Sequence, residues 1–453
     1  MEKAIVIQTA KSTQDRLTRK EDILFEHRPI INRSRTTIDF DSHVQFQQII
    51  GFGGAFTEAG ASVLYNMEKE KRVRIIESYF HPEKGIAYSL CRTHINSCDF
   101  SLGNYSYDDV AEDKQLLNFT IERDNKYLIP FIKEALATKG AYFNIIASPW
   151  SPPYWMKTNH QMNQGGKLRP DCRDAWALFF SKYIKAYQAE GIPIWGVTIQ
   201  NEPAAVQSWD SCIYTAEEER DFIRDHLGPR LEKDGLLDKK IIIWDHNRDL
   251  VFERAKIVLT DERAARYVWG VGYHWYVEDE FENVLRTHEA FPDKQLLLTE
   301  ASIQGGAQLS AWDRGEKYGY NIIQDLNNWA SGWIDWNMVL NLQGGPNHVG
   351  NFCEAPVLVD EKEKREYYQN SYHYIGHFSK FVRPGAFRIQ CRSSHDSLET
   401  TAFINPDRSV VIVVLNRSDS GFEYLLRKNS YSAETECPPH CIQTFVINQE
   451  QAT

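Results

Sequence analysis

"WGVTIQNEP" (Trp195–Pro203) and "KQLLLTEAS" (Lys294–Ser302) are two short runs of strand-forming residues that each end on a glutamate, Glu202 and Glu300. Apolar β-formers followed at once by helix breakers read as strands buried on both faces. One acid at such an ending carries little information, because a strand-end glutamate is more often a salt-bridge or capping partner. Two of them raise the question of what the other strands end on.

Working outward from Gln48 to Phe378, six further runs of the same kind appear: "QQIIGFGGAFTEA", "IAYSLCRTHIN", "AYFNIIASPW", "KIIIWDHNRD", "YVWGVGYHWY" and "GWIDWNMVLN". Amphipathic stretches separate them, including "KEKRVRIIESYF", "NKYLIPFIKEALATKG", "DAWALFFSKYIKAYQAEG" and "AEEERDFIRDHLGPRLEKDG". Gly140 and Gly191 close two of these stretches, and Thr215 stands where an N-cap is wanted. A last helical stretch is predicted over "KREYYQNSYHYIGHFSKF". Eight β-runs alternating with helices predict an α/β protein, a (β/α)8 TIM barrel, because parallel strands covered on both faces lose the in–out alternation. An open doubly wound sheet shares the local pattern, but "GFGGAF" (Gly51–Phe56) has neither dinucleotide spacing nor a phosphate-loop lysine and reads as a tight turn.

The flanks differ. "ETTAFINP", "SVVIVVLNRS" and "CIQTFVIN" are short β-like pieces, as are "TTIDF" and "VQFQ" near the start. They predict a β-sandwich side domain built from both chain ends, dividing the chain into 1–47, 48–380 and 381–453. The 453 residues allow that much structure, and a formal charge of −11 argues against nucleic acid as a partner. The N-terminal segment has no apolar stretch of secretory-signal length, and no run reaches the ~20 residues of a membrane span. Eight cysteines without framework spacing read as reduced thiols, so a cytoplasmic location is expected. Cys437-Pro-Pro-His-Cys441 carries only a weak metal signature. Oligomeric state is not legible.

In a barrel of this kind chemistry sits at the C-terminal strand ends. Those ends carry Arg92 with Asp99, Trp150, Asn201 with Glu202, Asp245 with His246, His274 to Tyr276, Glu300, and Trp336 with Asn337. Aromatic faces beside amides and carboxylates suit a sugar ring, and a pair of glutamates suits glycoside hydrolysis, in which one carboxyl protonates the leaving oxygen and the other meets the anomeric carbon. Taken singly, the residues have plainer readings: Arg92 and Asp99 as a structural clamp, the tryptophans as core. Asp245, His246, His274 and His348 are the set from which a metal site would be drawn. They lack HExxH spacing, so neither metal nor cofactor is expected.

"CRTHINSCDFS", "ASPWSPPYWMKTN", "NEPA", "HWY", "LTEAS", "GWIDWNMVLNLQGGPN" and "YHYIGHFSKFV", in this order, resemble the glucosylceramidase family, glycoside hydrolase family 30. The likeness covers roughly Gln48 to Pro384, and "VIVVLNRS" extends it into the C-terminal part. It implies retaining hydrolysis of β-glycosides through a covalent glycosyl-enzyme, with Glu202 as acid/base and Glu300 as nucleophile. It further implies Asn201 on the sugar 2-hydroxyl, Asp99 and Trp150 on the far hydroxyls, Trp336 as pocket wall and Asn351 at the pocket edge. Arg92 and Tyr276 would orient the nucleophile, with His274 counted among the substrate-binding side chains. The chain departs from lysosomal members in lacking their signal and N-terminal disulfides. Its loop after Glu202, with Trp209 as candidate aglycone platform, also looks shorter. An exo-acting β-glucosidase is expected. β-xylosidase, β-fucosidase or β-1,6-glucanase activity, or a sugar-binding barrel without catalysis, are the alternatives.

Overall fold

The computed structural model describes residues 2–28 and 35–448. Eight parallel strands close into a barrel in chain order: β1 Gly51–Phe56, β2 Leu90–Ile95, β3 Asn144–Pro149, β4 Gly196–Thr198, β5 Lys240–Asn247, β6 Val268–His274, β7 Gln295–Glu300 and β8 Ala330–Asn337. The segment "GFGGAF" is therefore the first barrel strand and not a turn. Its glycines are required by close packing: a Cβ on Gly53 would sit 1.8 Å from the carbonyl oxygen of Leu90 on β2.

Inside the barrel, side chains form layers, as strand alternation demands. Leu90, Ile146, Ile242, Leu297 and Ile334 make one apolar layer, with Trp195 and Trp269 packed against it. The intervening residues, such as Cys91, Ile145, Ile241 and Leu296, face the helices. Two residues further along β2, β4 and β7 the inward positions become Arg92, Thr198 and Thr299, so the core turns polar just beneath the mouth.

The helices form where the amphipathic stretches lie. Lys69–Phe80 matches its sequence segment end to end, and Thr215 makes a reciprocal capping box with Glu218. "KREYYQNSYHYIGHFSKF" is helical only from Asn370 to Ser379. Arg365–Tyr368 is instead a strand, pairing antiparallel with Val357–Asp360 to cover the pocket side of the barrel.

Strands from both chain ends share the second sheet system. Lys3–Ala10 pairs with Cys441–Ile447, and Thr36–Gln48 pairs with both Phe387–Ser393 and Phe422–Lys428. The strand Val410–Asn416 explains why "VVIVVLN" is unbroken apolar sequence. Val410, Ile412 and Val414 enter the sandwich core, while Val411, Val413 and Leu415 pack on the barrel helices. His377 pins the joint from the barrel side, its ring nitrogens 2.8 and 2.9 Å from the hydroxyls of Thr444 and Thr9. None of the eight cysteines is joined in a disulfide. Cys437 and Cys441 lie in the sandwich core, and His440 between them turns its ring to Glu316 and Asp419, so the motif assembles no three-ligand site.

Candidate active site

Above the polar layer lies a cavity of about 220 Å³ lined by Asp99, Trp150, Asn201, Glu202, Tyr276, Glu300, Trp336 and Asn351, with Gln207, Trp209, His246, Asn247, Gln304 and Cys353 completing the wall. That is smaller than the roughly 300–1,000 Å³ typical of drug-sized sites and suits a single sugar ring. Trp150 and Trp336 stack on each other, centroids 5.0 Å apart, as one aromatic wall.

Glu300 is the last residue of β7. Glu202 lies beyond the regular strand, since β4 ends at Thr198. The neighbouring strands carry the chain across the gap: Asn201 N–H donates to Pro149 O at 2.8 Å, and Glu202 N–H to Asp245 O at 3.0 Å. Glu202 is left-handed, φ 48°, a conformation uncommon outside glycine that turns its carboxylate back over the mouth. One oxygen of Glu202 and one of Glu300 lie within 4.8 Å of each other.

The two carboxylates have different neighbours. Glu300 accepts a 2.8 Å hydrogen bond from the Tyr276 hydroxyl, and its other oxygen lies 3.7 Å from Arg92 Nη2. Glu202 faces two imidazoles, His274 Nδ1 at 3.4 Å and His246 Nε2 at 4.0 Å. Burial raises the Glu300 carboxyl above its ordinary value, and the charge of Glu202 adds to that, against the pull of His274 and Arg92. Burial also acts on Glu202, raising it, but the imidazoles of His274 and His246 beside it hold it below the ordinary value. For His274, burial opposes the charged ring, yet Glu300, Asp245 and Glu202 outweigh it and lift the group to about 9. His246, pushed down by burial, is the neutral imidazole of the two. Asp99 accepts from Asn351 and Asn347 at 3.0 and 3.2 Å, and burial, joined by the Glu300 charge, raises it to about 7.

Arg92 and His274 are fully buried and neither lines the cavity, so they stand one layer behind Glu300 and Glu202. Arg92 is also not paired with Asp99. Its guanidinium grips Asp245 with both terminal nitrogens, at 3.0 and 2.9 Å, and holds Asn201 Oδ1 at 2.8 Å. The possible metal set is not assembled either, for His348 turns away to the Ser101 carbonyl. Among the described residues, the three metal-competent side chains that do converge are Glu202, His274 and Glu300.

Gln207, Asn247, Gln304 and Cys353 line the cavity and Asn347 holds Asp99, none of them singled out in the sequence. Asn247 ends β5, and the others reach the site on loops whose path depends on tertiary packing. Trp209 does line the cavity, as its place after Glu202 suggested.

The profile of the glycosyl hydrolase family 30 TIM-barrel domain matches residues 49–382, and that of the glycosyl hydrolase family 30 beta sandwich domain matches residues 385–445. The chain belongs to glycosyl hydrolase family 30. It is 37% identical to the lysosomal acid glucosylceramidase of Mus musculus over 425 residues, covering 90% of this chain and 82% of that one. An endo-1,6-beta-D-glucanase of Neurospora crassa is 31% identical over 399 residues, covering 84% and 81%. The crystal structure of SrfJ from Salmonella typhimurium superposes with a TM-score of 0.94 at 36% identity, covering 99% of this chain and 100% of that one. This family 30 chain is thus an O-glycosyl hydrolase with a TIM barrel and a β-sandwich. No helix among the described residues is long and apolar enough to cross a membrane.

Proposed function

We propose that this family 30 enzyme is a retaining, exo-acting β-glucosidase that works through a covalent glycosyl-enzyme, with Glu300 as nucleophile and Glu202 as acid/base. The observation that carries this reading is the approach of the two carboxylates to within 4.8 Å. Inverting enzymes hold their carboxyls about 6.5–9.5 Å apart to admit a water, whereas retaining ones need only about 5–5.5 Å. The surroundings support the division of labour. Glu300, steadied by Tyr276 and Arg92, attacks C1 as its carboxylate while the leaving oxygen takes a proton from Glu202. Water then attacks C1 of the intermediate, Glu202 receives its proton, and Glu300 is released. Asn201, held by Arg92, is placed for the 2-hydroxyl, and Asp99 with the Trp150–Trp336 wall for the remainder of the ring.

A cavity sized for one ring favours removal of a terminal unit. The aglycone side is polar, with Gln207, His246, Asn247 and Gln304 around Trp209. This favours a second reading, in which the leaving group is another sugar and not an acyl chain, as in the β-1,6-glucanase alternative.

The test is a panel of aryl β-glycosides (glucoside, xyloside, fucoside, galactoside) with wild type, Glu300→Gln and Glu202→Gln. Glu300→Gln should abolish glycosyl-enzyme formation on every substrate. Glu202→Gln should slow poor leaving groups by about 10²–10⁴-fold and activated ones much less, because only the former need protonation. Equal slowing of both would overturn the assignment, as would an α-anomer as the first-formed product.

A further inference from the structure

Resting on the glycosidase reading, we propose that Asp245 is the positioning residue of this site: a single buried carboxylate that sets the nucleophile through Arg92 and the acid/base through His274.

The geometry begins in the backbone of β5. Along this strand Ile241 and Ile243 face the helices and Ile242 faces the barrel interior. Strict alternation would send Trp244 inward and Asp245 out. The pairing with β6 instead slips between Trp244 and His246, and both Trp244 (φ 70°) and Asp245 (φ 55°) adopt left-handed conformations. This is a β-bulge with Asp245 as the extra residue. Trp244 stays on the helix side with Ile243, and the Asp245 carboxylate swings into the barrel. Two consecutive non-glycine residues at positive φ are strained, and such strain persists only where the surroundings over-determine it. The buried Glu219 carboxylate supports the bulge by accepting from the Trp244 N–H at 2.9 Å.

Once inside, Asp245 accepts from four side chains. They are Arg92 through both terminal nitrogens, His274 Nε2 at 2.9 Å, Thr299 Oγ1 at 2.6 Å and Thr198 Oγ1 at 2.7 Å. They arrive from β2, β6, β7 and β4. Its main-chain carbonyl also receives the Glu202 N–H. Arg92 then reaches towards Glu300 and Asn201, and the second nitrogen of His274 reaches Glu202. Asp245···His274···Glu202 is a carboxylate–imidazole–carboxylate relay. His274 Nδ1 stands 3.4 Å from Glu202 Oε1, a charge contact without a hydrogen bond in this structure, close enough to keep the proton that the leaving group will need beside the acid. This accounts for a general acid whose own carboxyl is held low: its proton waits on the neighbouring ring. Asp245 touches no part of the cavity and acts only through these partners.

The groups facing His274 are Arg92, Glu202, Asp245, His246, Tyr276 and Glu300, from five strands or the loops that follow them. Removing the Asp245 charge lowers the basicity of His274. The relay then gives up its proton at lower pH.

In the full chain, Asp245→Asn should reduce kcat on an aryl β-glucoside by about 100-fold, at the scale of lost acid–base catalysis, with KM changed only a few-fold. The basic limb of kcat/KM against pH should move to lower pH. A basic limb that stays in place with only the height reduced, or an effect confined to KM, would overturn the proposal. Should the variant fail to fold, imidazole ¹⁵N NMR of the wild type decides, with His274→Gln identifying the signal. A ring doubly protonated at neutral pH and titrating near 9 upholds the relay, and one that titrates at or below the ordinary 6.5 refutes it. The NMR needs no turnover, so a wild type inactive on every β-glycoside would sink the glycosidase reading alone.

Discussion

Replacing Tyr276 by phenylalanine removes one atom from the site and isolates what holds the nucleophile. The Tyr276 hydroxyl gives Glu300 Oε1 its 2.8 Å hydrogen bond, while the other oxygen is buried with no hydrogen-bond partner and has Arg92 at 3.7 Å. A hydrogen bond to a charged group contributes about 1.5–3 kcal/mol. At about 1.4 kcal/mol per tenfold, its loss corresponds to a fall in kcat/KM of about 10- to 150-fold. The sign of the pH effect follows from the same bond. It favours the ionised carboxyl, so without it Glu300, already raised by burial, ionises at still higher pH. The acid limb of kcat/KM for an aryl β-glucoside should therefore move up in pH in Tyr276→Phe, while the basic limb, which belongs to the His274–Glu202 pair, stays near its wild-type position. An acid limb that stays in place or moves down would falsify the assignment of Glu300 as the group that must be ionised.

Two further outcomes are expected. Asp99, raised to about 7 by burial with the Glu300 charge behind it, exchanges donor for acceptor capacity across neutral pH. Wild-type KM should thus vary through pH 7 and become flat and about tenfold higher in Asp99→Asn, at the scale of one lost hydrogen bond to a charged group; a wild-type KM that is constant from acid to alkaline pH contradicts this. The second concerns stability. Burial lowers His377 to about 3, so between pH 6.5 and that value the unfolded chain binds a proton that the folded one does not, and stability falls as pH falls. At about pH 5 the loss is about 2 kcal/mol from this residue. Chemical denaturation at pH 7 and pH 5 should show that loss in the wild type and less of it in His377→Gln; equal losses in the two proteins would rule out His377 as its source.

Much of this molecule can be read along the chain because its signals are local. Eight apolar runs separated by amphipathic stretches point to parallel strands covered on both faces, their number favouring a closed barrel, and a strand end is visible as the place where apolar residues give way to Asn201-Glu202 or to Glu300. "SVVIVVLNRS" likewise announces a strand buried on both sides, though not that one side is a sandwich core and the other a barrel. Glycines show the limit of local reading. Gly51 to Gly54 have the composition of a turn, and only the 1.8 Å approach of the Leu90 carbonyl explains them as strand. The same limit applies to Arg92 and His274, whose strand-end places do not reveal that they lie one layer beneath the cavity. It applies to Asp245 more strongly still. Whether that carboxylate faces helices or barrel interior depends on a single extra residue in β5, and period-two alternation points it the wrong way. A bulge is decided by the partners waiting on each side, here Glu219 outside and Arg92, His274, Thr198 and Thr299 within. Those partners come from five distant segments that meet only when the barrel closes.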